Sequence, residues 1–224
     1  MRIGITGHSS GLGQGLYNFF KDAGFYVRGY SRSNGYNVDP EDWNNIVKIF
    51  DDVKKNRIDT FINNAYFGTA QEKVFETIYN YFEECKLSKD SDIAKNNFTI
   101  LNVNSRLGLL TEEYYSAYAF EKQKQHSISN PALHVHRNTR VINYFPGYID
   151  TPMLADLEGS EKIKPERILS VDEAVDVVFY ALGMPHNVEL GVIGHWKMSY
   201  LPNMTEVERW DSKYDRKQHD VIPP

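Results

Sequence analysis

The chain has little that could hold it together other than a packed core. Its one cysteine, Cys85, excludes an internal disulfide framework and fits a reducing compartment. It has no basic block: 25 lysines and arginines face 30 aspartates and glutamates, a net charge of −5, so no nucleic-acid partner is expected. No apolar run approaches the roughly 20 residues needed to span a bilayer, and no membrane partner is expected. No leader is expected, because Met1 runs straight into Arg2-Ile3-Gly4-Ile5-Thr6, which reads as a strand. Internal repeats and Pro/Gly-rich linkers are also missing. The expectation is a soluble, cytoplasmic protein whose 224 residues form one domain large enough to cover both faces of a sheet.

What is present is an alternation of short apolar strands and amphipathic helices, the pattern of a doubly wound parallel sheet in a three-layer α/β domain. Strands are predicted at Arg2–Thr6, Tyr26–Ser31, Thr60–Asn63, Phe98–Val103, Arg140–Tyr144 and Gly191–Trp196. Leu12, Leu16, Phe19, Phe20 and Ala23 keep one helical face, as do Trp43, Ile46, Val47, Phe50 and Val53. Ser170 and Glu173 form a capping box ahead of Ala174, Val177, Val178 and Leu182. The stretches Lys86–Asn97 and Ser127–Thr139 read as surface loops. A tight turn at Ser33-Asn34-Gly35 is expected to join a second strand to a third. The domain is expected to cover residues 1–200, with 201–224, which holds Trp210 and Tyr214, as a C-terminal tail.

Four segments carry chemistry. Directly after the first strand stands Thr6-Gly7-His8-Ser9-Ser10-Gly11-Leu12-Gly13, where glycines let the backbone turn tightly against a pyrophosphate at a helix N-terminus. Asp59-Thr60-Phe61-Ile62-Asn63-Asn64-Ala65 ends another strand. Tyr118-Ala119-Phe120-Glu121-Lys122 puts a phenol and an ammonium four residues apart, on one helical face. That spacing is unspecific, since Tyr17 and Lys21 repeat it by chance. Ser105, thirteen residues before Tyr118 and just past a strand, distinguishes the second pair. Lastly, Pro146-Gly147-Tyr148-Ile149-Asp150-Thr151 leaves the next strand.

In this order the segments resemble the short-chain dehydrogenase/reductase family: Thr-Gly-x-x-x-Gly-x-Gly, Asn-Asn-Ala, a serine before Tyr-x-x-x-Lys, then Pro-Gly. The resemblance runs to the helix ending near Leu182, and Tyr66 departs from it by standing where the family has glycine. It implies a Rossmann fold and an NADP(H)-dependent oxidoreductase that interconverts a carbonyl and an alcohol. Tyr118 would be the general acid/base, Ser105 would hydrogen-bond the reacting oxygen, and Lys122 would hold the nicotinamide ribose. Thr6, Gly7, Ser9, Ser10, Gly11, Leu12 and Gly13 would meet the pyrophosphate, with Asn64 and Ala65 beside them. Pro146, Gly147, Ile149 and Thr151 would meet the nicotinamide carboxamide.

An unperturbed phenol titrates near ~10, and a cation about 4 Å away contributes roughly 4 kcal/mol, so Lys122 is expected to lower Tyr118 by about three pKa units. Where NAD-using relatives end the second strand with an acidic residue, this chain has Ser31 beside Arg32. That pair suits a 2′-phosphate, so NADP(H) is expected as the preferred cofactor and NAD(H) as the second choice, with Asn37 and Val38 flanking the adenine.

Asn80 is the candidate for the family's helical active-site asparagine. Leu107, Tyr114, Tyr148, Met153 and Leu154 suggest a partly aromatic substrate pocket. His134 and His136 lack a ligand set around them, and no metal is expected. The resemblance implies a homodimer or homotetramer, since related enzymes commonly pair through two helices that are here Gln71–Cys85 and Thr111–Gln125, and Phe75, Ile78, Tyr79 and Phe82 on the first offer more apolar surface than one helix face usually needs. Two rivals stand beside this reading. One is a catalytically silent NAD(P)-binding sensor or scaffold. The other is an epimerase or dehydratase of the longer family branch, whose substrate domain does not fit between Met153 and Ser170.

Overall fold

Strand β1 (Arg2–Thr6) sits inside the sheet because Ile3 and Ile5 are fully buried on one face while Gly4 lets the other face close in. A Cβ on Gly4 would lie 3.0 Å from Phe61 and 3.1 Å from Tyr30. The chain is described by a computed structural model over residues 1–38, 42–88, 95–109, 117–130, 138–156, 160–188 and 190–197. The tail, Tyr114, His134 and His136 lie outside the described residues.

After β1 come α1 (Gly11–Asp22), β2 (Tyr26–Tyr30), α2 (Trp43–Lys55), β3 (Thr60–Asn63), α3 (Ala70–Lys86), β4 (Thr99–Val103), α4 (Ala117–Ile128) and β5 (Arg140–Pro146). Two-residue strands β6 (Tyr148–Ile149) and β7 (Ile168–Leu169) flank the short α5 (Pro152–Ala155), and α6 (Val171–Gly183) and β8 (Val192–His195) follow. The main sheet is parallel throughout, in the order β2-β1-β3-β4-β5-β8. All six predicted strands are in it, and the fold is the doubly wound Rossmann type.

Register explains the layers. Gly4, Phe61, Ile100 and Val141 lie side by side across the sheet, and the last three join a core with Val53, Val74, Phe75 and Ile78 of α2 and α3. The next row, Ile5, Ile62, Leu101 and Ile142, joins a second core with Leu16 and Phe20 of α1 and Ala174 and Val178 of α6. The capping box of α6 forms as expected, with Glu173 N–H donating to the Ser170 hydroxyl at 3.1 Å and Ser170 N–H to the Glu173 carboxylate at 2.7 Å.

Three expectations change. No strand follows the Ser33-Asn34-Gly35 turn among the described residues. Instead Arg32–Asn34 form a single 3-10 turn, Gly35 takes φ 82°, and β2 lies at the sheet edge. That edge is sealed from α2: Asp52 accepts two hydrogen bonds from Arg28 and one each from Tyr30 and Tyr36. Burial works against the Asp52 carboxylate, but those donors outweigh it and leave its pKa below the usual value. Second, Phe75, Ile78, Tyr79 and Phe82 are buried within the chain itself. They supply no surplus surface for pairing, because α3 packs on both the sheet and α2. Third, part of the expected Ser127–Thr139 loop is helical: α4 continues to Ile128, and Ser129 is buried against Asn143.

The first turn imposes a further condition on β2. The His8 ring lies over Gly29, where a Cβ would stand 2.2 Å from the imidazole Cγ. Gly29→Ala is expected to destabilise the protein by about 1–3 kcal/mol through overpacking, and adding His8→Ala should recover most of that loss. Denaturant unfolding of the two variants checks this; equal stability of Gly29→Ala and wild type would refute the contact.

Candidate active site

The carboxyl ends of β1, β3, β4 and β5 bring the motif segments to one end of the sheet, where open α/β sheets bind ligands. Thr6 ties the first two together. Its buried hydroxyl accepts from the N–H groups of Asn64 and Ala65, both at 2.9 Å, and its carbonyl accepts from the Asn64 side chain at 3.0 Å. Thr6 and Asn64 thereby fix the start of the loop after β3.

The glycine turn lies against that loop. Gly7 and Gly11 take φ 70° and 53°, which other residues rarely adopt. A Cβ on Gly13 would stand 2.2 Å from the Gly7 carbonyl oxygen. Leu12 is buried in the core, Ser9 and Ser10 are exposed, and Ser10 makes no side-chain cap to the first amides of α1. A turn of this shape, opening on uncapped helix amides, fits a pyrophosphate. Thr151 belongs to the same place, with its methyl 3.2 Å from where a Gly11 Cβ would be. Gly147 N–H donates to the His195 carbonyl at 2.8 Å, and β6 pairs with β7, so Pro146–Thr151 is held as a ledge beside the turn. Ile149 and Thr151 are half-buried there, while Tyr148 and Met153 are exposed. Farther along the cleft, Arg32 is exposed, Asn37 is half-buried, and the Val38 side chain is buried in the core.

Ser105, Tyr118 and Lys122 do come together. Ser105 hydrogen-bonds the Tyr118 hydroxyl, and the Lys122 ammonium lies 5.7 Å from the Tyr118 ring centroid. Lys122 is only 3% exposed. Its ammonium donates to Gln71 Oε1 at 2.7 Å, Gln125 Oε1 at 3.2 Å and the Val103 carbonyl at 3.3 Å. Burial lowers its pKa to about 7, with Glu121 opposing.

The expected lowering of Tyr118 is not found. Burial raises this phenol above its usual value, and the bond to Ser105 only partly opposes that. The four-residue spacing along α4 gives a shared face, but the ammonium is turned into the protein toward Gln71.

Two residues were missed. Asn80 is exposed on α3 and takes no part in the site; the amide beside Lys122 is Gln71, buried at the start of α3. Gln71 Nε2 donates to the carbonyls of Asn63 at 2.8 Å and Val103 at 2.9 Å. Its signal was a glutamine in phase with Val74, Phe75, Ile78 and Phe82, on the face that should be apolar. The other is Tyr66, whose hydroxyl donates to Glu121 and whose ring meets Tyr118 edge-on, centroids 4.9 Å apart. Among the described residues no cluster of His, Cys, Asp and Glu could hold a metal ion, and no helix is long and apolar enough to cross a membrane.

No family model matches the chain. An uncharacterised short-chain type dehydrogenase/reductase of Sinorhizobium fredii is 27% identical over 193 residues, covering 72% of this chain and 35% of the relative. The match therefore spans about a third of that relative's length. Among solved structures, a 3-ketoacyl-(acyl-carrier-protein) reductase from Brucella melitensis complexed with NADH superposes with a TM-score of 0.71 at 16% identity, covering 87% of this chain and 96% of the other. A short-chain dehydrogenase from Sphingobium yanoikuyae in complex with NADPH gives 0.67 at 18%, covering 97% and 94%. One from Burkholderia cenocepacia in complex with NADP gives 0.61 at 22%, covering 97% of each chain. At these identities the structural likeness is one of fold.

The burial of Lys122 has a measurable sign. The folded protein lowers this lysine from 10.5 to about 7, so between those pH values the unfolded chain binds more protons and stability rises with pH. The adverse contribution is complete below about 7 and gone above 10.5. Lys122→Met should lack the rise, which amounts to ~1.4 kcal/mol per pKa unit. Its unfolding free energy relative to wild type should therefore fall as pH increases across the window. Parallel stability–pH curves for the two proteins would show that Lys122 is not desolvated.

Proposed function

We propose that this chain, whose resemblance to the short-chain dehydrogenase/reductases is borne out by its fold and its curated relative, is an oxidoreductase that interconverts a carbonyl and an alcohol with a nicotinamide cofactor, NADP(H) before NAD(H). The observation that carries this reading is the meeting of Ser105, Tyr118 and Lys122 at the end of β4, beside a glycine turn that fits a pyrophosphate. Bound there, a nicotinamide would supply hydride to the carbonyl carbon or take it from the alcohol carbon.

Tyr118 gives its phenolic proton to the carbonyl oxygen in reduction and recovers it in oxidation. Ser105, already bonded to that phenol, donates to the same oxygen as charge develops on it. A phenol raised by burial carries its proton at neutral pH, so the resting site holds the proton that reduction consumes. Lys122 places positive charge behind the phenol when Tyr118 ionises. The sealing of Lys122 by Gln71, Gln125 and Val103 favours a second reading, a protein that binds the dinucleotide without turnover. Tyr118→Phe separates the two. On the catalytic reading, turnover against a carbonyl panel falls by roughly two to four orders of magnitude while cofactor binding is retained. Activity equal to wild type would favour the binding protein.

The cofactor preference rests on the turn after β2. Ser31 N–H and the Asn34 side chain bond each other across the turn, the hydroxyls of Ser31 and Ser33 lie 2.8 Å apart, and Asn34 Nδ2 donates to the Gly29 carbonyl at 2.7 Å. These bonds hold the turn rigid and leave Arg32 exposed at its rim, free to grip a phosphate in bidentate fashion. Charge-assisted bonds contribute roughly 1.5–3 kcal/mol, so NADPH should bind about ten- to a hundredfold tighter than NADH. Arg32→Ala should remove most of that difference and leave NADH affinity nearly unchanged. Titrating both cofactors into both proteins checks this, and a wild-type preference for NADH sinks it.

A further inference from the structure

Tyr66 has no counterpart in the chemistry proposed above. It follows Asn64 and Ala65, whose amides are fastened to Thr6, so its backbone starts from a fixed point. From there the side chain reaches back over the catalytic pair. Its ring packs edge-on against Tyr118 with centroids 4.9 Å apart, and the Lys122 ammonium lies 5.0 Å from its centroid. Its hydroxyl is tied to the Glu121 carboxylate, one residue before the lysine. Burial and the bond to Glu121 raise its pKa, so the phenol keeps its proton and remains a donor.

These contacts cover the groups that a cofactor's nicotinamide half would have to reach. Lys122 is 3% exposed, and the Tyr66 ring lies against both its ammonium and the Tyr118 ring. A nicotinamide half placed against Tyr118 would have to take that ring's space. At the phosphate end Ser10 makes no side-chain cap to the first amides of α1, and Ser9 and Ser10 are exposed.

We infer that Tyr66 is an aromatic latch that competes with the nicotinamide half of the cofactor for Lys122 and Tyr118. The Tyr66–Glu121 hydrogen bond holds it closed. This rests on the nicotinamide-dependent reading above. Because the backbone is pinned at Asn64 and Ala65, opening is a side-chain rotation that breaks one hydrogen bond, one ring contact and one cation–π contact. Tyr66 thereby sets the affinity for the whole dinucleotide, and not for its adenosine diphosphate half. When only a fraction of molecules has the ring displaced, apparent affinity falls by that fraction, and removing the ring restores it.

The test is calorimetric titration of NADPH and of ADP, which lacks the nicotinamide half, into wild type, Tyr66→Gly, Tyr66→Phe and Glu121→Gln. Tyr66→Gly should bind NADPH about tenfold tighter than wild type. Tyr66→Phe keeps the ring and removes the hydrogen bond, while Glu121→Gln keeps the ring and leaves a weaker, neutral acceptor, so Tyr66→Phe should tighten NADPH by about threefold and Glu121→Gln by less; they also stand in for Tyr66→Gly should that variant fail to fold. ADP affinity should be the same in all of them. NADPH binding no tighter in any variant, with ADP still bound, overturns the latch and leaves the proposed function intact. Failure of every protein to bind either nucleotide overturns both.

Discussion

The side-chain amide of Gln71 joins the ends of two central strands to the lysine of the site. Its nitrogen serves the carbonyls that finish β3 and β4, Asn63 and Val103, and its oxygen is left to face Lys122. The amide cannot be turned over. A flipped Gln71 would set its oxygen against two carbonyls and its nitrogen against an ammonium, acceptor facing acceptor and donor facing donor in a buried place. The orientation of the lysine is therefore dictated by where two strands end, and those ends are set by sheet register. Asn63 strengthens the link, since its side chain returns a hydrogen bond to the Gln71 carbonyl and another to Asn102. The geometry of the candidate site and that of the sheet are here one network.

Desolvation then decides how the site is charged. Burying the ammonium and the phenol penalises both ionised forms, which moves Lys122 down and Tyr118 up, each toward neutrality. An exposed tyrosine–lysine pair on a helix would do neither. The same burial that keeps Tyr118 protonated makes any charge created on it costly, unless a cation is beside it when the proton leaves. Lys122, poised near neutral pH and turned inward, provides that charge only in its protonated form. The charge state of the pair thus depends on what is packed over it, and the Tyr66 ring is part of that cover.

Much of this was legible in the chain. Strands buried on both faces read as short apolar runs, and Phe61-Ile62, Ile100-Leu101 and Val141-Ile142 each send one residue to either core. The motif segments meet at one end of the sheet, and the Ser170–Glu173 box marked a helix start to the residue. Other features depended on burial, which spacing does not carry. Tyr118 and Lys122 share a face in any helix, but the sign of their pKa shifts is set by the layers packed over them. Phe75, Ile78, Tyr79 and Phe82 looked like surplus surface because periodicity cannot tell a helix with one neighbour from one wedged between a sheet and α2. Gln71 was hidden because a polar residue at a core position announces a partner without saying which. Tyr66 was visible only as a departure from glycine, and its direction is a property of the fold.

The sheet edge shows how a shortened connection shapes the adenosine end. With no strand beyond β2 among the described residues, its outer edge would present unpaired groups to solvent. Arg28 lies on that edge, and its guanidinium is held bidentate by Asp52, which also takes the hydroxyls of Tyr30 and Tyr36. The arrangement draws α2 against the strand and closes the sheet side by side chains in place of a ladder. It also sorts the two arginines. Arg28 is neutralised by a carboxylate that its own bonds keep ionised, so it is a poor ligand for any phosphate. Arg32, four residues on and past a turn fastened by Ser31 and Asn34, stays exposed. A longer connection carrying another strand would bring further backbone against this turn. Among the described residues none does, and the Arg32 guanidinium stays at an open rim.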